Sequence, residues 1–150
     1  MGQNNVRALG LQASQGTMLV VPFYWDMNDA TRAFANRFEA RHSKHLMPND
    51  MHAGVYAAVL HYLKAVAKVG GANDGKAVVA AMKAMPTDDP LFGKGLIRID
   101  GRKIHPMYLF QVKTPAESKG PWDFYKLVST IPAEQAFRPL NDGGCPLVSN

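Results

Sequence analysis

The side chains of this sequence with the widest chemical range are five histidines and a single cysteine. His42 and His45 stand three apart in HSKH, and two imidazoles at that spacing could meet a metal. No Cys, Asp or Glu stands at ligand spacing to complete a shell, so they read as surface histidines, and neither metal nor cofactor is expected. His52 and His61 fall on opposite faces of one helical segment and cannot share a ligand. His61 reads as a tolerated polar residue. His105, beside Pro106, reads as structural. Cys145 would need a partnered base to act as a nucleophile, and the sequence nominates none. There is no G-x-S-x-G elbow, G-x-G-x-x-G turn or phosphate-binding loop. No catalytic residue is therefore nominated, and the chain does not read as an enzyme.

Binding chemistry is better represented. TMLVVPFYWDMND places Phe23, Tyr24 and Trp25 just beyond an apolar run. The three rings either plug a core or line an opening. In an extended segment Phe23 and Trp25 face one side and Tyr24 the other. Ligands of open α/β sheets bind beyond the carboxyl ends of the strands, which is where these rings stand. A second wall is offered by Asp50, Met51 and His52 at a helix start, where free backbone N–H groups and the positive end of the helix dipole favour an anion. The candidate ligand-binding residues are thus Trp25, Tyr24, Phe23, Met51, His52 and Asp50, with Trp25 the first choice for the cleft and Tyr24 the alternative.

Several elements must position them. Thr17–Val21 lacks polar alternation and reads as a buried strand of the parallel-sheet kind. The segment before it is too glycine-broken for a long helix. Asn28 can cap an amphipathic helix carrying Phe34 and Phe38. A second helix starts at Asn49 or Asp50 and stops at Gly70-Gly71. Its apolar residues occupy most of its circumference, so it reads as covered on more than one side. A third follows Asp74 and ends before Pro86. Asp100-Gly101, between apolar runs, signals a hairpin, and WDFYKLVSTI reads as a further strand. The tail, rich in Pro and Gly, reads as irregular. Three helices with apolar faces stand beside few strands, which suggests a small α+β domain or a piece of something larger.

Composition sets the frame. The chain has 150 residues, 47% hydrophobic and 19% charged, and a formal net charge of +5. That is the balance of a globular domain. Its cations are scattered, so no nucleic-acid tract stands out. No stretch is apolar and long enough to span a bilayer. MGQNNVRALG lacks the apolar core of a signal peptide. One cysteine excludes an intrachain disulfide.

PNDMHAGVYAAVLHYLKAVAKVGG, GKGLIRIDGRKIHPMYLFQVKTPAESKGPWDFYKLVSTIP and the ending FRPLNDGGCPLV together resemble the carboxy-terminal part of ABC-transporter solute-binding proteins of the branched-chain amino acid class (type I periplasmic binding proteins). The resemblance runs from about residue 8 to the end. It implies a partial α/β fold, made of pieces of two flavodoxin-like lobes, with three main helices, strands and a hairpin-like C-terminal region. Residues 1–22 would belong to the second lobe, 23–28 to an interlobe crossing, 29–102 to first-lobe helices, 103–107 to a return crossing and 108–150 to the second lobe. The missing strands would lie upstream. In branched-chain amino acid binders an aromatic preceding Y-A-A of the long helix contacts the ligand. Tyr56-Ala57-Ala58 marks that register here and puts Met51 or His52 at the matching place. The implied partners are a small organic solute and an ABC permease. The implied compartment is the periplasm, or the cytoplasm if Met1 is the true start. The same fold also serves as a ligand sensor in receptors and transcriptional regulators. Taken alone, the chain should expose apolar helix faces such as Phe34/Phe38 and Val55/Val59, and so associate or bind ligand poorly.

Overall fold

The computed structural model describes residues 2–148. They form two compact units. One runs up to Ala53 and takes in Met107–Ile131; the other comprises Gly54–Pro106 and the stretch from Pro132 onwards.

In the first unit, short helices α1 (Gln3–Leu9) and α2 (Leu11–Ser14) precede strand β1 (Met18–Val21). β1 pairs antiparallel with β5 (Met107–Val112), which pairs antiparallel with β6 (Tyr125–Ile131), in the order β1-β5-β6. Among the described residues β1 is therefore an edge strand with an antiparallel neighbour, where its composition suggests a buried strand of the parallel kind. Only Leu19 is buried, while Met18 and Val20 are exposed. An unbroken apolar run has the same appearance whether both its faces are covered or one of them lies open. The core gathers Val6, Leu19, Tyr24, Phe110, Val112, Trp122, Phe124 and Tyr125. These are mostly aromatic rings, which bury large areas at little conformational cost.

Helix α3 (Asp29–Arg41) begins as its sequence predicts. The Asn28 side chain accepts from the Thr31 amide at 3.0 Å, and Thr31 Oγ1 accepts in turn from the Asn28 amide at 3.0 Å. That reciprocal cap satisfies two donors the helix leaves free. Phe34 is not on an open face as expected. It is buried, with its ring edge-on to Phe23 at 6.1 Å. Its partner Phe23 belongs to the loop after β1, a contact between loop and helix that helical periodicity cannot reveal.

Helix α4 (Asp50–Val69) ends at Gly70, whose φ of 87° is the left-handed conformation expected of a glycine cap. Ala53, Ala57, His61 and Ala65 are buried along one side at helical spacing, whereas Met51, Val55, Val59 and Leu63 form an exposed stripe. Among the described residues this helix is covered on one side only, contrary to the reading from its circumference. In the second unit His61 is more than tolerated: its Nε2 lies 2.9 Å from the Met82 carbonyl of helix α5 (Gly75–Ala84). The Asp74 side chain caps α5 through the Ala77 amide at 3.0 Å.

A second antiparallel sheet, of strands β2 (Thr87–Asp89), β3 (Gly93–Ile97) and β4 (Lys103–Ile104), completes the unit. β3 and β4 form the hairpin signalled by Asp100-Gly101, with Gly101 at φ 84°. Gly95 is required by space. A Cβ there would stand 2.3 Å from the Ile104 carbonyl oxygen. The C-terminal stretch holds one 3-10 turn, Leu140–Gly143. Arg98 pins it by donating to the Arg138 carbonyl at 3.0 Å. No helix among the described residues is long and apolar enough to cross a membrane.

Candidate functional site

The loop between β1 and α3 is the chemical centre of the first unit. The chain turns at Trp25-Asp26, so the alternation of an extended segment does not hold there. Tyr24 and Trp25 do not point to opposite sides. Their rings lie 5.8 Å apart, and both donate to one acceptor, the Trp122 carbonyl, at 2.6 Å from Tyr24 Oη and 3.0 Å from Trp25 Nε1. The Tyr24 hydroxyl also accepts from the Phe124 amide at 3.0 Å. Burial drives the Tyr24 phenol well above the ordinary tyrosine range, with the Phe124 and Tyr125 amides pulling the other way. The hydroxyl is a donor throughout the neutral range.

A hollow of about 260 Å³ opens beside this loop. Tyr24, Asp26, Met27 and Asn28 form one wall, and Tyr108, Phe110, Tyr125 and Leu127 of β5 and β6 the other. Most of its polar groups are already engaged. Asp26 pairs with Arg32 at 2.9 Å, and Asn28 caps α3. Among the described residues the buried Tyr125 hydroxyl has no hydrogen-bond partner, and burial is the first cause that raises its phenol, followed by Tyr24 and Asp50. Such a surface offers flat apolar contact with a small polar margin, the general make-up of a solute pocket.

Of the sequence-predicted residues, Tyr24 alone lines this hollow. Phe23 is buried against Phe34. Trp25 is half-buried on the Trp122 loop. Asp50 opens α4, half-buried, and Met51 stands 72% exposed beside it. The His52 amide donates to Asn49 Oδ1 at 3.2 Å, and His52 Nδ1 accepts from the Asn49 amide at 3.2 Å. This reciprocal cap identifies Asn49 as the helix start. Burial, then His42, holds the His52 imidazole below its usual value. Tyr108, Phe110, Tyr125 and Leu127 are absent from the sequence-based candidates. The period-two placing of Tyr108 with Phe110, and of Tyr125 with Leu127, assigns each pair to one face of its strand. Which strand lies beside the Tyr24 loop depends on long-range pairing. Among the described residues no group of three or more His, Cys, Asp or Glu could hold a metal ion.

The chain has recognisable relatives among known proteins. The family model described as "Periplasmic binding protein" matches residues 1–121. The chain belongs to the periplasmic binding protein family. It is similar over 99% of its length to a periplasmic binding protein from Burkholderia mallei, with 45% identity and a TM-score of 0.93, and covers 39% of that chain. A branched-chain amino acid ABC transporter periplasmic ligand-binding protein from Burkholderia xenovorans LB400 is 42% identical over 97% of the chain, with a TM-score of 0.89, and 38% of it is covered. A solute-binding protein of an ABC transporter from Rhodopseudomonas palustris BisB5, solved with 3,4-dihydroxybenzoic acid, shares the fold at 21% identity and a TM-score of 0.72, over 89% of this chain and 35% of that one. No curated protein matches the sequence. This periplasmic binding protein chain therefore carries part of the mixed α/β fold of the type I class, spanning under two fifths of its relatives' length.

Proposed function

We propose that this chain supplies part of a solute-binding protein that captures a small organic solute, an amino acid or an aromatic acid, between two lobes in the periplasm and delivers it to an ABC permease. The observation that carries this reading is the aromatic hollow beside Tyr24, in a chain 45% identical to a periplasmic binding protein. Rings on two walls with few free polar groups suit a flat or branched apolar solute body. The amino acid and dihydroxybenzoate classes are those associated with the Burkholderia xenovorans and Rhodopseudomonas palustris relatives. In this reading residues 23–28 and 103–107 are crossings between lobes. Tyr24 and Trp25 meet the solute, Phe23 supports them from beneath, and Asp50, Met51 and His52 approach from the start of α4. A solute touching both lobes favours closure only as far as it binds the closed state better.

The test is a chimera in which this chain replaces the matching part of the Burkholderia mallei protein. Calorimetric titration with the standard amino acids and hydroxylated benzoates should reveal saturable binding of at least one. A folded chimera that releases no heat with any of them contradicts the proposal.

A further inference from the structure

A second hollow, of about 590 Å³, lies within the other unit, walled by residues of the β3–β4 turn and of the C-terminal stretch, among them Arg102, Lys103, His105, Phe137, Arg138 and Cys145. Its charges are unequally matched. Asp100 on the wall is held by Arg98 through two contacts, 3.2 and 2.5 Å, and Lys103 pairs with Asp89 at 2.7 Å. Asp100 also accepts from the Arg102 amide at 3.1 Å and feels its charge, but neither the Arg102 nor the Arg138 guanidinium makes an ion pair with a carboxylate among the described residues. The Arg102 guanidinium lies over the Phe137 ring at 5.6 Å, and the His105 ring stands edge-on to the same ring at 5.4 Å. The Arg138 backbone is fixed by Arg98, while its guanidinium packs over Gly143, where an added Cβ would stand 2.9 Å from Nη2.

A guanidinium presents planar, forked N–H donors that match a carboxylate, and an aromatic ring beside it gives flat contact to a second ring. We propose that this hollow binds a small arylcarboxylate, with Arg102 and Arg138 on its carboxylate and Phe137 against its ring. The site shares no residue with the hollow beside Tyr24, so either can fail alone.

Cys145, the sole cysteine, stands on the wall and reports occupancy. The experiment measures the rate at which an uncharged alkylating reagent modifies it in the 150-residue chain. Benzoate, benzamide and inorganic phosphate are titrated as probes. Benzoate should protect Cys145 saturably and benzamide should not. Arg102→Gln and Arg138→Gln should each raise the half-protecting benzoate concentration about tenfold, as expected for loss of one charge-assisted contact. Lys94→Gln, on an exposed residue outside the hollow, should leave it unchanged. Equal protection by benzamide, protection by phosphate alone, or arginine variants that bind benzoate like the parent would each overturn the proposal. Should an arginine variant melt early, the contrast between benzoate and benzamide in the parent chain still decides.

Discussion

The Tyr24 hydroxyl donates to the Trp122 carbonyl at 2.6 Å across 98 residues of sequence. Trp122 itself sits at φ 70°, a conformation that a bulky residue adopts only when its surroundings hold it there. The same hydroxyl receives the Phe124 amide. One oxygen therefore ties the loop before β6 to the loop after β1.

Tyr24→Phe should destabilise the chain by about 1–3 kcal/mol, because the buried Phe124 amide loses its acceptor. Tyr125→Phe removes the same atom from a neighbouring ring and should leave stability unchanged or raise it, since that buried hydroxyl has no partner among the described residues. Urea unfolding of both variants checks the contrast. Equal losses would show that the ring environment, and not the hydrogen bond, sets the cost.

His52 gives a pH dependence whose sign follows from its place. Its Nδ1 accepts from the Asn49 amide, and its imidazole is held below the usual value of 6.5 by burial first and then by His42, with Asp50 opposing and the Phe38 ring packed at 4.7 Å. The unfolded chain binds the extra proton, so this stabilisation is complete above the unfolded value and is lost as pH falls below it. Melting temperature should drop from about pH 8 to about pH 5. His52→Gln keeps a capping acceptor and should flatten part of that drop. His105 is also held low, by burial first, and leaves a residual slope. A His52→Gln profile parallel to the parent's would remove His52 from the account.

Gly95→Ala should separate β3 from β4. Its Cβ would stand 2.3 Å from a backbone oxygen and 2.9 Å from Thr87 Oγ1, which cannot both yield without moving strands. A loss of about 1–3 kcal/mol is expected. Hydrogen exchange should quicken first at the amides of the β3–β4 pairing, and unchanged protection there would contradict the steric argument.

The exposed stripe of α4 should make the isolated chain associate. Val55 is 65% and Val59 51% exposed, and both are flanked by Met51 and Leu63 on the same line. Light scattering should report oligomers that Val55→Glu with Val59→Glu dissolves. A parent chain that stays monomeric at high concentration would show the stripe to be well tolerated in water.

The local signals in the sequence translated directly into structure. Asn28, Asp74 and Gly70 sit at helix ends because capping is decided within a few residues. Asp100-Gly101 turns a hairpin for the same reason. What the sequence concealed was pairing across distance. The edge position of β1, the burial of Phe34 under Phe23 and the bond between Tyr24 and Trp122 each join residues that no periodicity relates. The turn at Trp25-Asp26 also overrode the alternation expected of three consecutive rings. One wall of the hollow was legible as an aromatic cluster at a strand end. The other awaited the pairing that brings β5 and β6 beside it.

The most direct test of solute capture beside the Tyr24 loop is calorimetric titration of the chimera and its Met51→Ala and Leu127→Ala variants, the latter on the wall of the hollow, with whichever amino acid or hydroxybenzoate it binds. Met51 is exposed, so its loss should leave the melting temperature unchanged. Saturable binding to the parent, weakened about tenfold or more in each variant, is expected. Parent-like affinity in both variants, or a folded chimera that binds no solute, would contradict solute capture at this site.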